Sequence, residues 1–216
     1  MTSTTPGPGR PKDLAKRQAI LEAAKAQFLR HGYEGSSMEA IAREAGVSKL
    51  TVYSHFSDKE TLFLEAVKAK CEEQLPQLFS MRDAADPLEE RLLSIGQAFL
   101  ALINSPESLA MHRLMFSLAH TNPALVQLFY DAGPGRILEE LERFLRQADQ
   151  RGQLRIEQPR AAAEHFCALL KGGHNFRLLI GLAGTQSAAE AKRHVHDVVG
   201  VFVRAHQPGD DNGRFH

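Results

Sequence analysis

AREAGVSKLTVYSHFSDKETL, residues 42–62, sets one glycine and two serine-led starts inside a helical apolar rhythm. Just upstream, Ser36-Ser37-Met38-Glu39 reads as a capping box opening a short helix. Its inward face is Ile41, Ala42 and Ala45, and Gly46 breaks it. Ser48 then caps a second short helix with Val52 and Phe56 on one face. Ser57-Asp58-Lys59-Glu60 reads as another capping box, leading into Leu62, Phe63, Ala66 and Val67. Two short helices joined at a glycine, with small alanines permitting close approach, form a helix-turn-helix pattern.

In that geometry the second helix enters the DNA major groove with its N-terminal residues against base edges. Its outward set is Ser48, Lys49, Leu50, Thr51, Tyr53, Ser54 and His55: a flexible cation, hydroxyls, an apolar chain for a thymine methyl, and a phenol. Helix starts at Ser36/Ser37 and Ser57 would turn N–H groups and a positive dipole end toward phosphates. On spacing alone the same pattern also fits a solvated corner of a helical protein.

Working outward, apolar residues recur at three and four along the chain, without sustained alternation of period two, so the expected class is all-α. A first helix is expected from about Asp13 through Ile20, Leu21, Ala24 and Phe28 to a stop at His31-Gly32. Later starts are Asp86-Pro87, Ser105-Pro106, Asn122-Pro123, Gln158-Pro159 and the box Ser187-Ala188-Ala189-Glu190, giving about nine helices. Gly133-Pro134-Gly135 is expected to kink or interrupt the helix begun at Asn122.

The chain has 216 residues and is 43% hydrophobic, enough for a real core in one or two domains. Net charge is zero, but residues 1–59 carry nine Lys/Arg against six Asp/Glu, a mild basic front on an acidic remainder. Cys71 and Cys167 lie on separate helical segments and suit two thiols in a reducing cytoplasm rather than a disulfide framework. The opening MTSTTPGPGRPK has no apolar core of a signal peptide, and no apolar run is long enough to cross a bilayer. The expected organisation is a flexible basic arm (1–12), a helix-turn-helix domain (13–59), a second helical domain (60–206) and a disordered tail (207–216).

The stretch GYEGSSMEAIAREAGVSKLTVYSHFSDKETLFLEAV, residues 32–67, resembles the DNA-binding domain of the TetR/AcrR family of transcriptional regulators. The resemblance rests on Gly-Tyr after the first helix, Ile-Ala before the turn, Ala-Gly-Val-Ser, Thr-Val-Tyr-x-His-Phe and Lys-Glu-x-Leu. It implies that Tyr53, His55 and Lys59 grip phosphates while Lys49, Leu50 and Thr51 face bases, with Ser37 at a helix start. Many relatives have glycine at the Leu50 position, so leucine implies a different base preference. Arg10 and Lys12 resemble basic arms that some members lay into the minor groove; a merely solubilising tail is the alternative.

The segments FYDAGPGRILEELERFL (129–145) and ADQRGQLRIEQPRAAAEHFCALLKGG (148–173) resemble the AefR-like branch of that family. That implies a one-component switch, dimeric through its last two helices, with a small-molecule pocket in the C-terminal domain. Candidate pocket residues are Phe99, Leu102, Met111, Met115, Phe116 and Phe129, with His112, His174, Asn175 and Arg177 as polar groups, suiting a partly apolar effector; each also fits ordinary core. For dimerisation the apolar stripes of the last helices offer Phe166, Leu169 and Phe176, and Val195, Val198, Val199 and Phe202. Gly172-Gly173 would permit close contact. Burial within one chain is the alternative.

The expected function is a repressor that binds a palindromic operator as a homodimer and is released by an effector, without metal or cofactor. A small all-α enzyme or a helical interaction module is the alternative. His194-x-His196 has the wrong spacing for one helical face, and no Glu-x-x-His, phosphate loop or nucleophile elbow occurs.

Overall fold

A computed structural model describes residues 10–79 and 86–208, with the side chains of 10–12 and 71–78 outside the description. Among the described residues the chain is entirely helical: α1 (Arg10–His31), α2 (Met38–Glu44), α3 (Lys49–His55), α4 (Lys59–Phe79), α5 (Leu88–Ile103), α6 (Pro106–Leu118), α7 (Pro123–Ala132), α8 (Pro134–Gln150), α9 (Pro159–Leu179) and α10 (Ala188–Ala205). The tenth helix arises where interruption was expected. Gly133 leaves helical geometry at φ −122°, ψ −87°, and Pro134, which has no N–H to continue a ladder, starts α8.

Local capping accounts for most starts. Ser48 accepts from the Thr51 N–H at 3.1 Å, Ser105 from Ser108 at 3.2 Å and Asn122 from Leu125 at 3.1 Å, while Ser187 and Glu190 close a reciprocal box. Three starts shift by one residue, among them α5, which begins at Leu88 with Pro87 in the capping position. Ser37, not Ser36, caps α2 by accepting from Ala40, because the Ser36 hydroxyl is engaged by the Gly32 carbonyl at 2.7 Å. Asp58, not Ser57, caps α4 by accepting from Thr61 at 2.7 Å. The helix expected from Asp13 begins at Arg10, so Arg10 and Lys12 lie in its first turn. Of the expected arm and tail, residues 1–9 and 209–216 lie outside the described residues.

The contacts divide the chain into two compact units, one running to Cys71 together with Leu114–Ala132, the other comprising Glu72–Arg113 and Gly133 onward. In the first unit, Ile20, Leu21, Ala24 and Phe28 of α1 close over Ile41, Val52, Phe56, Leu62 and Phe63, all nearly or fully buried. Phe28, Tyr33 and Phe63 form an aromatic cluster with centroids 5.0–5.8 Å apart. Gly46 takes φ +67° between α2 and α3 and its neighbour Val47 bonds back to the Ala42 carbonyl at 3.0 Å, a left-handed C-terminal stop.

In the second unit α5, α8, α9 and α10 pack around Leu92, Phe99, Leu141, Leu145, Phe166, Leu170, Val195, Val199 and Phe202. Gly96 lets α5 approach closely, since a Cβ there would lie 2.8 Å from Val195 Cγ1 and 3.3 Å from Leu170 Cδ2. α9 is kinked at Gly172 (φ +51°, ψ −170°), beside which His194 Nε2 donates to the Leu170 carbonyl at 2.9 Å. Beyond the kink, Arg113 donates to the Leu178 and Leu179 carbonyls at 2.6 and 2.8 Å, and buried Asn175 donates to Asn104 Oδ1 at 2.8 Å. No helix of the described residues is long and apolar enough to cross a membrane.

Candidate nucleic-acid interface

α3 has one sealed face and one open one. Val52 is 0% exposed and Phe56 closes the helix end, whereas Leu50 is 80% and Tyr53 43% exposed. Ser48, Lys49 and Ser54 lie on the same open side and Thr51 is half-buried at its border. An apolar side chain held that far into solvent gains nothing from burial in its own fold. A surface of this kind, with hydroxyls, a cation and a phenol within two helical turns, matches the chemistry of major-groove edges and flanking phosphates.

Lys49, His55 and Lys59 nevertheless each have a partner inside the head. Lys49 Nζ is ion-paired with Glu39 of α2 and lies 5.7 Å from the Tyr53 ring centroid. The hydrogen bond between them holds the Glu39 carboxyl below its ordinary range and lifts the Lys49 ammonium above its own. His55 is tucked in, its side chain 11% exposed, with Nε2 3.0 Å from an Asp13 carboxylate oxygen. Lys59 turns back onto the α1–α2 connection. Its ammonium donates to the Tyr33 carbonyl at 2.8 Å and Ser36 at 3.3 Å, with Glu34 at 4.0 Å.

Sequence reasoning missed these three acids. Glu39 looked like a member of a capping box; Asp13 and Glu34 lie in separate elements from the side chains they meet, and no spacing rule links them. Glu44 was also missed: it accepts from Gln27 at 2.5 Å and pairs with Arg30, holding α2 against α1.

The expected effector residues are divided between the two units. Phe99 is buried and lines an apolar cleft of the second unit with Phe79, Ile95, Ile137, Leu141, Phe166, Cys167 and Leu170. As it stands the cleft has room for the centre of about one water, some 10 Å³. Leu102 packs beside the same core. Met111 and His112 are half-buried on α6; His112 Nδ1 donates to the Ser108 carbonyl at 2.6 Å, and burial pushes its pKa down. Met115 is buried, Phe129 half-buried and Phe116 62% exposed, all three in the first unit. Asn175 is engaged by Asn104, Arg177 is exposed, and the buried His174 Nε2 has no hydrogen-bond partner. Burial pushes the Cys167 thiol up to about 11. Those cleft residues look like any core stripe in sequence, so only packing identifies them.

The dimerisation set also separates into buried and exposed members. Phe166, Val195, Val198, Val199 and Phe202 are buried in their own unit, with the Phe166 and Phe202 rings 4.9 Å apart, the burial within one chain that the sequence left as the alternative. Leu169 and Phe176 are 41% and 62% exposed, Gly172 and Gly173 lie on the same open surface, and Ile180, Leu182 and Val201 extend the exposed apolar set.

Comparison with known proteins identifies the family and the fold. The family of bacterial regulatory proteins named for tetR matches residues 20–66, and the C-terminal domain of AefR-like transcriptional repressors matches residues 90–208. The HTH-type transcriptional repressor AcnR of Corynebacterium diphtheriae is 28% identical over 195 residues, 89% of this chain and 94% of the relative. A crystal structure assigned to the TetR family of transcriptional regulators, from Mesorhizobium loti, superposes with a TM-score of 0.83 at 30% identity, over 92% of this chain and all of that one. The flavonoid-responsive regulator FrrA superposes with a TM-score of 0.77 at 29% identity, over 89% of this chain and 97% of its own. With an AefR-like match over more than half its length behind a helix-turn-helix head, the chain belongs to the TetR family of bacterial transcriptional regulators and is a DNA-binding regulator rather than an enzyme.

Proposed function

We propose that this regulator is a cytoplasmic repressor that binds a pseudo-palindromic operator as a homodimer and leaves it when a small, largely apolar molecule occupies the C-terminal unit. The observation that carries the DNA reading is the open face of α3, where Leu50 and Tyr53 project from a helix whose other face is sealed by Val52. A two-fold dimer presents two such helices to half-sites about one helical turn apart, or a multiple of it. The exposed Leu169 and Phe176, continued by Ile180 and Leu182, supply the apolar surface for pairing. Lys49, Leu50 and Thr51 face bases; Ser37, Ser48, Tyr53, Ser54, His55 and Lys59 serve the backbone, and Arg10 and Lys12 are the candidates for the minor groove.

The apolar cleft around Phe99 and Cys167 is the effector site in this reading, and its small volume means that a ligand must open it. Binding and opening are then one equilibrium. A ligand preferring the opened state by about 1–3 kcal/mol weakens operator binding about 5- to 150-fold.

The test is selection of genomic fragments by purified protein, then titration of the best fragment with wild type and Tyr53→Ala at graded salt. Recovery of a palindrome, loss of tenfold or more on that substitution, and a fall of about 10³- to 10⁵-fold between 50 and 200 mM salt for 6–10 neutralised phosphates are the expected results. A dimer that enriches no fragment, even after unfolding, removal of small molecules and refolding, would overturn the DNA reading.

A further inference from the structure

Glu39 has no place in the interface as read from the sequence, yet it holds the first cation of the recognition helix. It lies in the first turn of α2 and pairs with Lys49 in the first turn of α3, across the Gly46 turn. Both side chains are more than half exposed, so the pair stands on the surface that α3 offers. The Glu39 carboxylate opposes phosphates nearby and offsets the charge of the lysine best placed to meet a base. The head therefore presents a joined donor and acceptor rather than a bare cation.

We infer that the Lys49–Glu39 pair reads one G·C base pair of the operator as a unit, Lys49 donating to guanine and Glu39 accepting from the amino group of cytosine. Guanine offers O6 and N7 side by side to an ammonium, and the paired cytosine offers its N4 amino group next to O6. Beside cytosine N4 a carboxylate, which only accepts, has one neighbouring lone-pair atom, guanine O6, which the ammonium occupies, and a C–H on the other side. At adenine it meets N7 next to N6, and at thymine the ammonium finds one acceptor beside a methyl group. A G·C pair thus matches both charges at once. Elsewhere Glu39 stays on Lys49 and its charge opposes the DNA, so Glu39 determines specificity by penalising wrong sites. The inference rests on α3 being the DNA-reading helix.

The experiment selects binders from a random-sequence duplex library with wild type, Glu39→Gln and Lys49→Ala. Each protein is then titrated with the wild-type consensus duplex and with an alternating dA-dT duplex of equal length. Glutamine keeps the shape of an exposed helical residue, and circular dichroism with thermal melting verifies folding. The expected wild-type consensus has a G·C pair in each half-site that either variant loses, discrimination at that pair falling by about 5- to 150-fold. Glu39→Gln should also bind the dA-dT duplex at least threefold more tightly than wild type, with a salt slope steeper by about one phosphate contact. Folded Glu39→Gln with the wild-type consensus and unchanged dA-dT affinity would overturn the inference while leaving the DNA reading intact. Wild type that binds neither library nor dA-dT duplex would overturn both.

Discussion

Lys59, the first residue of α4, reaches back to Tyr33 near the start of the α1–α2 connection: its ammonium donates to the Tyr33 carbonyl at 2.8 Å and lies 4.3 Å from the centroid of the Tyr33 ring. The Tyr33 ring in turn packs edge-on to Phe63, 5.5 Å away, so one cation joins a loop carbonyl to the aromatic core of the head.

Lys59→Ala is therefore expected to destabilise the head as well as weaken DNA binding. Charge-assisted hydrogen bonds contribute about 1.5–3 kcal/mol in favourable cases, and partial exposure of this side chain brings the expected loss to about 1–2 kcal/mol. Urea unfolding measures it. An unchanged midpoint, with affinity lowered equally for all sequences, would show that Lys59 acts on phosphates alone.

Gly46 is required by its backbone and not by space. Its φ is +67°, and a Cβ would meet nothing within 4 Å. Gly46→Ala should cost about 1–2 kcal/mol from the left-handed conformation alone, while Gly46→Asn should cost less, because asparagine tolerates that region better. Equal midpoints for the two variants in thermal unfolding would contradict this account.

Gly96 presents the opposite case, a helical glycine limited by space. An added methyl would lie 2.8 Å from Val195 Cγ1, so Gly96→Ala should destabilise by about 1–3 kcal/mol through overpacking. Val195→Ala should partly rescue it, and a double-mutant cycle by chemical denaturation reads the coupling. Purely additive losses would mean that α5 and α10 relax apart freely.

Cys167 titrates with folding. Burial raises its thiol from an ordinary 9.0 to about 11, since the thiolate would lie among apolar side chains. The sign follows directly: below pH 9 both folded and unfolded chains keep the proton. Between pH 9 and 11 the unfolded chain releases it first, so stability falls, by roughly 2–3 kcal/mol in all. Cys167→Ala should flatten that part of the profile, measured as denaturant midpoint against pH. In a Cys71→Ser background, native Cys167 should react with thiol reagents about a hundredfold more slowly than the unfolded chain at neutral pH. Comparable rates would show that the cleft opens readily without ligand.

The boundary between what was legible and what was not follows the range of the interactions. Caps such as Ser48, Asn122 and the Ser187–Glu190 box bind within three residues, so their order in the chain announces them. Gly133-Pro134 likewise marks its own interruption because the missing donor is in the residue itself. Apolar periodicity located Phe166, Val199 and Phe202 on inward-looking stripes but carried no information on whether the surface they meet belongs to the same chain.

Local sequence features thus determined an all-helical chain with two short helices joined at the Gly46 turn, since helix formation, capping and that turn depend on residues a few positions apart. Tertiary structure alone decided that Phe166 and Val195 close a core while Phe176 stays exposed beyond the Gly172 kink, and that Lys49, His55 and Lys59 meet Glu39, Asp13 and Tyr33. The physical reason is that a helix fixes which side chains share a face, whereas the neighbour that face meets depends on how separate helices dock.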